Sequence, residues 1–182
     1  MSPVGFDLDM TLINSRPAIL ASFAGVARDT STVIDLDAVD RRLGIKLDDE
    51  LAFWFPSDQV AGAAGIYRRH YLQLAEELTT LLPGAHEALA AVRAAGERVV
   101  IITAKHPISV QPSLRAVGLA ADELFTLVHG PEKAAVLRTV QAGVRAVGVT
   151  TGSFSGRDLT GAGAEVVFDS LASFPGWYRS AF

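Results

Sequence analysis

Val4-Gly5-Phe6-Asp7-Leu8-Asp9-Met10-Thr11 is the stretch that decides the fold of this chain. Its apolar start, Val4-Gly5-Phe6, reads as a buried strand, and two acids follow at the strand's C-terminal end, where open α/β sheets bind ligands. Alternation along an extended chain sends Asp7 and Asp9 to one side. Two carboxylates held over one point cost electrostatic energy unless a cation or phosphate chemistry uses them. One acid can then be a nucleophile and the other an acid/base, with a hard divalent metal offsetting their charge. The plain alternative is a strand-end turn carrying two solvated acids. The strand before the pair, with Thr11 and Leu12-Ile13 after it, weighs against that alternative.

Further along, Val99-Val100-Ile101-Ile102-Thr103 is a β-branched run ending in a hydroxyl, and Lys133 follows Gly130-Pro131-Glu132 at the expected start of a helix. The tail carries Gly148-Val149-Thr150-Thr151-Gly152 and Val166-Val167-Phe168-Asp169-Ser170. Together, and in this order, these stretches resemble the motifs of the haloacid dehalogenase-like (HAD) hydrolases, and the tail resembles phosphoglycolate phosphatase-like members with an α-helical cap. The resemblance covers nearly the whole chain. It implies a Mg²⁺-dependent phosphatase acting on a small phosphorylated metabolite through an aspartyl-phosphate. Asp7 is then the nucleophile and Asp9 the acid/base. Lys133 is the cation on the phosphoryl group and on Asp7, and Thr103 donates to a phosphate oxygen. The loop from Met10 through Thr11 to Asn14 offers backbone N–H groups, and Mg²⁺ takes the Asp7 carboxylate and the Asp9 carbonyl. Asp9 also bears on reaction type: in the resemblance it accompanies phosphoryl transfer and is missing from dehalogenating members. Lys105, two residues past Thr103, is a rival cation that falls off the motif.

The pattern predicts an α/β fold, a parallel Rossmann-like sheet with helices on both faces, since βα alternation runs from residue 85 to the tail. Residues 1–16 and 82–182 form this core. Residues 17–81 read as an inserted α-helical cap, because apolar positions recur at helical spacing there with no convincing period of two. Its aromatic clusters read as core. Leu82-Pro83-Gly84 is the return turn, and Pro112 predicts a short or broken helix after Pro107.

With 182 residues, 49% of them hydrophobic and 20% charged, the chain is globular in composition. A net charge of −4 gives no reason to expect nucleic acid or an anionic membrane as partner. The absence of cysteine excludes disulfides and thiolate chemistry. No apolar run reaches transmembrane length and no basic leader precedes one, so a cytoplasmic location is expected. None of the four histidines has zinc-site spacing, although His106 and His129 follow strand ends and could border the site.

One element of the resemblance has no match. A fourth motif, a strand ending in an acid that completes the metal site, belongs between Lys133 and Ala146, yet no Asp or Glu occurs from Lys133 to Arg157. Three explanations stand: a segment is missing from this sequence, the protein is shortened and weakened, or Asp158 or Asp169 substitutes. The alternative function is therefore a catalytically impaired binding or scaffold protein on the same fold.

Overall fold

The computed structural model describes residues 3–129, 132, 133, 135, 136 and 145–181. They fall into two compact units, each taken by itself below. A sheet unit comprises Met1–Asn14, Leu81–Lys105 and Leu119–Phe182, and a helical unit comprises Ser15–Thr80 and His106–Gly118. The helical unit thus takes in 106–118, a segment that the sequence pattern leaves in the core.

The strands are β1 (Pro3–Phe6), β2 (Ile13–Asn14), β3 (Thr80–Leu81), β4 (Arg98–Ile102), β5 (Glu123–Phe125), β6 (Val147–Val149) and β7 (Val166–Phe168). The helices are α1 (Arg16–Thr30), α2 (Leu36–Arg41), α3 (Leu47–Leu51), α4 (Val60–Leu78), α5 (Ala85–Ala94), α6 (Pro107–Val117), α7 (Gly156–Gly161) and α8 (Phe174–Ala181), with a 3₁₀ turn at Leu171–Ser173. Glu132, Lys133, Ala135 and Val136 are also helical. The rest of the helix expected to Gln141, and most of the stretch where a fourth motif belongs, lies outside the described residues.

In the sheet unit β4 is the middle strand of a parallel trio ordered β1-β4-β5. Val99, Val100, Ile101 and Ile102 are at most 2% exposed, as expected of a strand covered on both faces. The β1–β4 register sets Phe6 level with Ile101, and the β4–β5 register sets Ile102 level with Phe125. At the N-terminal end Asp122 reinforces the ladder, its carboxylate accepting from Val99 N at 2.7 Å. Helix α5 buries Ala85, Ala88, Leu89 and Val92, the i, i+3, i+4, i+7 stripe of an amphipathic helix. Gly84 before it has φ +83°, and a Cβ there would lie 2.1 Å from Ala172 N. The return turn therefore needs glycine both for its dihedral and for the close approach of the 3₁₀ turn.

Among the described residues the parallel strands form two separate ladders. β6 and β7 pair only with each other, in parallel, and among the described residues no strand joins them to β1, which stands at an edge. Aromatic packing bridges the ladders. Phe6 of β1 meets Phe174 edge-on at 5.6 Å, Phe174 contacts Trp177 at 5.9 Å, and Trp177 meets Phe168 of β7 at 6.2 Å. Helix α8 thus supplies the apolar contact between the two ladders. β2 and β3 form a further two-residue ladder that the sequence pattern does not predict.

The helical unit is built around α1 and α4, whose buried faces enclose Phe23, Val26, Tyr67, Tyr71 and Ala75 with Val39, Leu51 and Phe55. Phe23 and Tyr67 pack at 4.9 Å between ring centroids. α6 packs on α4, with the Tyr71 hydroxyl 2.9 Å from Ser113 Oγ in the interior. α6 also corrects an expectation, since it runs through Pro112 without a break. Pro112 is buried, and the carbonyl that loses its i+4 donor belongs to Ile108, a residue that is 49% exposed.

Candidate functional site

Asp7 and Asp9 leave the C-terminal end of β1 on a tight loop. The Leu8 carbonyl accepts from Thr11 N at 3.3 Å, Leu12 N at 3.0 Å and Ile13 N at 3.1 Å, and Met10 N donates to Ile13 O at 2.8 Å. Leu8, Leu12 and Ile13 are fully buried, so apolar anchors pin the loop from beneath. Met10 sits at φ 57°, a left-handed conformation that a non-glycine residue adopts only when its surroundings impose it. Thr151 Oγ1 supplies part of that constraint, donating to Met10 O at 2.5 Å. The N–H groups of Met10, Thr11, Leu12 and Ile13 thus bond within the loop.

Lys133 is 126 positions from Asp7 in the sequence, and its Nζ lies 2.7 Å from Asp7 Oδ1. Leu8 N also donates to that oxygen, at 2.8 Å. Both contacts fall on Oδ1, and among the described residues Oδ2 has no partner. The side chain is still 36% exposed. The protein packed around Asp7 pushes its carboxyl above the ordinary value, Lys133 pulls against that, and Asp9 adds a smaller upward push. Burial outweighs the lysine here, so without Lys133 the ionised form would be harder still to hold. The turn leading to Lys133 is closed by Glu132, whose carboxylate accepts from His129 N at 3.2 Å while its own N–H donates to His129 O at 3.0 Å.

Thr103 ends up at the tip of β4 with no exposed surface. Its Oγ1 accepts from Lys105 N at 3.1 Å, which leaves the hydroxyl proton for another acceptor. Lys105, discounted on motif grounds, is the cation of Asp9: Nζ lies 2.9 Å from Oδ1, and the lysine side chain is only 7% exposed. A signal for this contact was available. Continuing the β1–β4 register brings Asp9 level with Ala104, so Thr103 and Lys105 flank it at the same sheet edge. The result is two aspartates each paired with its own lysine. His106 instead caps α6 in the helical unit, its Nδ1 accepting from Ile108 N at 3.3 Å.

Among the described residues no three His, Cys, Asp or Glu side chains gather as a metal site. Asp158 does not fill the gap, because its carboxylate accepts from Ser155 N at 2.9 Å and Ser155 Oγ at 2.6 Å in a capping box at the start of α7. Asp169 is exposed just past β7. The remaining donors are the Asp7 carboxylate and the Asp9 carbonyl. That set still suits Mg²⁺, a hard ion that keeps several waters and takes one or two carboxylates together with substrate phosphate.

Residues 4–150 match the family described as haloacid dehalogenase-like hydrolase. A protein named probable phosphatase IndB, of Dickeya dadantii, is 26% identical over 210 aligned residues, covering 94% of this chain and 90% of that protein. That alignment is longer than this chain, so IndB contains residues with no counterpart here. A phosphoglycolate phosphatase of Colwellia psychrerythraea is 31% identical over 140 residues, covering 69% of this chain and 59% of that enzyme. Among solved structures, a haloacid dehalogenase-like family hydrolase of Streptococcus pneumoniae superposes with a TM-score of 0.82 at 17% identity, covering 98% of each chain. CbbY of Rhodobacter sphaeroides, in complex with phosphate, superposes at 0.75 with 18% identity and 96% coverage of each. At such identities these structures establish the shared fold.

Proposed function

Because the chain belongs to the haloacid dehalogenase-like hydrolase family, we propose that this phosphoric monoester hydrolase cleaves a small phosphorylated metabolite through an aspartyl-phosphate on Asp7. The observation that carries the proposal is the 2.7 Å contact from Lys133 Nζ to Asp7 Oδ1, which leaves Oδ2 without a partner among the described residues. Phosphate monoesters resist attack because their charge repels nucleophiles, so a phosphatase must neutralise that charge and align the attacking and leaving oxygens.

In the proposed reaction an Asp7 oxygen attacks phosphorus and the bond to the ester oxygen breaks. Asp9, as the neutral acid, gives its proton to the departing alcohol. A water then attacks phosphorus, Asp9 takes the water's proton, and the bond to Asp7 breaks to release inorganic phosphate. Lys133 holds positive charge beside the nucleophile and the incoming phosphoryl group, and the Thr103 hydroxyl proton suits a phosphate oxygen. Met10 and Thr11 shape the nucleophile loop, and Thr11 can still contribute through its hydroxyl. Mg²⁺ would be held by the Asp7 carboxylate and the Asp9 carbonyl, and when bound it neutralises phosphoryl oxygens.

A second reading, a catalytically impaired binding or scaffold protein, is favoured by one observation: no third acid joins Asp7 and Asp9 among the described residues. One experiment separates the two. The protein is incubated with a ³²P-labelled ester, quenched in acid, and scored for bound label and turnover. The active reading expects base-labile label on the wild-type protein and none on Asp7→Asn, because an amide cannot serve as the nucleophile. Label and turnover that survive Asp7→Asn would overturn the assignment, and neither in the wild type supports the impaired protein.

A further inference from the structure

A lysine ammonium is strongly hydrated, and burying its long stem costs rotamer freedom, so lysine is seldom buried without a partner. Lys105 is buried to 7% exposure of its side chain and ends 2.9 Å from Asp9 Oδ1, while Asp9 is the more exposed partner at 27%. The lysine is also the anchored partner. Its N–H donates to Thr103 Oγ1 at 3.1 Å, and its carbonyl accepts from Leu127 N at 3.3 Å. Asp9 lies on the loop after β1, immediately before Met10 at φ 57°.

From this asymmetry we propose that Lys105 is a positioning residue for Asp9, fixing the carboxyl where it can reach the leaving oxygen and then the attacking water. The inference rests on the phosphatase reading above. An acid or base must come within about 2.6–3.2 Å of the atom whose proton it moves, and a misplacement of about 1 Å costs on the order of a hundredfold. Lys105 acts through Asp9 and touches neither phosphorus nor the leaving oxygen. Its contribution should therefore scale with how much the leaving group needs a proton. A p-nitrophenolate departs readily without one, whereas an alkoxide does not.

The test measures phosphoenzyme formation in single turnovers, with p-nitrophenyl phosphate and with a simple alkyl phosphate. It uses wild type, Lys105→Met, Lys105→Arg, Asp9→Asn and the Asp9→Asn/Lys105→Met double variant. Lys105→Met is expected to slow reaction with the alkyl ester by about a hundredfold and with the p-nitrophenyl ester by a few-fold at most. Lys105→Arg keeps the charge at a different reach. It is expected to show the same ester dependence in smaller measure, so the test survives if Lys105→Met does not fold. In the Asp9→Asn background Lys105→Met should add nothing. Equal losses on both esters, a change confined to KM, or additive losses in the double variant would overturn the proposal and make Lys105 a phosphate ligand or a structural group. Phosphoenzyme surviving Asp7→Asn is a separate result, and it would overturn the phosphatase reading beneath.

Discussion

The molecule holds two kinds of charged cluster, one in each unit, and they are finished differently. In the helical unit Glu50 is 4% exposed, and both its oxygens are taken. Arg42 grips them with Nε at 2.8 Å and Nη2 at 2.6 Å, and Trp54 Nε1 adds a bond at 3.0 Å. The guanidinium also lies 4.3 Å from the centroid of the Phe53 ring, and the Glu50 side chain is 5% exposed against 31% for Arg42. In the sheet unit Asp7 has two donors on one oxygen, no partner on the second among the described residues, and 36% exposure. The Arg42–Glu50 cluster is closed on itself and serves packing. The Asp7 cluster is partly exposed, and under the proposed function its second oxygen is the one available to substrate. Saturation of the acceptors, more than the mere presence of an ion pair, separates structural charge from charge available for chemistry.

Removing the cation at the open cluster should have the largest effect. Lys133→Met is expected to lower kcat by about 10²–10³-fold, the range for losing one preorganised donor to developing charge, with little change in melting temperature. Steady-state kinetics beside a thermal melt would show it. A stability loss without a kinetic one would put Lys133 in the same class as Arg42 and break the comparison.

Metal dependence comes next. With one carboxylate and one carbonyl as protein donors, Mg²⁺ should bind about tenfold to a hundredfold more weakly than at a site with a further carboxylate or its supporting group. Titrating Mg²⁺ against hydrolysis of a generic phosphate ester measures this. Half-saturation in the low micromolar range with rapid turnover would show that another acid completes the site.

At the closed cluster the same kind of change should act on stability alone. Glu50→Gln leaves Arg42 facing a neutral amide in a nearly buried place. The melting temperature should fall by roughly 5–10 °C, with turnover within a few-fold of wild type once the protein is folded. A large kinetic loss at full folding would make this cluster part of the functional machinery.

How much of this was legible beforehand follows from the range of the interactions. The placement of Asp7, Asp9 and Thr103 after strand ends and of Lys133 at a helix start could be read because such positions have local signatures. The partition of the two lysines could not be read from motif spacing, since it depends on side-chain reach across the β1–β4 register. α6 runs on through Pro112 although proline carries a local helix penalty, and the tertiary burial of Pro112 is not visible in local sequence. Among the described residues no strand joins β1 to β6 and β7, and the aromatic bridging by Phe6, Phe174, Trp177 and Phe168 is a tertiary arrangement with no periodic trace. The capping role of Asp158 has a local signature in Ser155-Gly156-Arg157-Asp158, a Ser followed three residues later by an acid.

Asp158 gives the smallest expected effect, and it is the test of that last point. Its carboxyl lies below the ordinary carboxylate range because it accepts from the Ser155 hydroxyl and the Ser155 N–H. A depressed folded pKa contributes stability above the unfolded value near 4, and the contribution is lost as pH falls through the lower folded value. Asp158→Ala should therefore lower the melting temperature slightly at pH 7, and the difference from wild type should vanish in acid below the folded pKa. Turnover and the Mg²⁺ half-saturation point should not move, because the carboxylate is committed to the α7 cap. A weaker Mg²⁺ response in Asp158→Ala would mean that this acid leaves its cap to serve the metal. Asp158 would then belong with the open charges of Asp7 rather than the closed ones of Glu50.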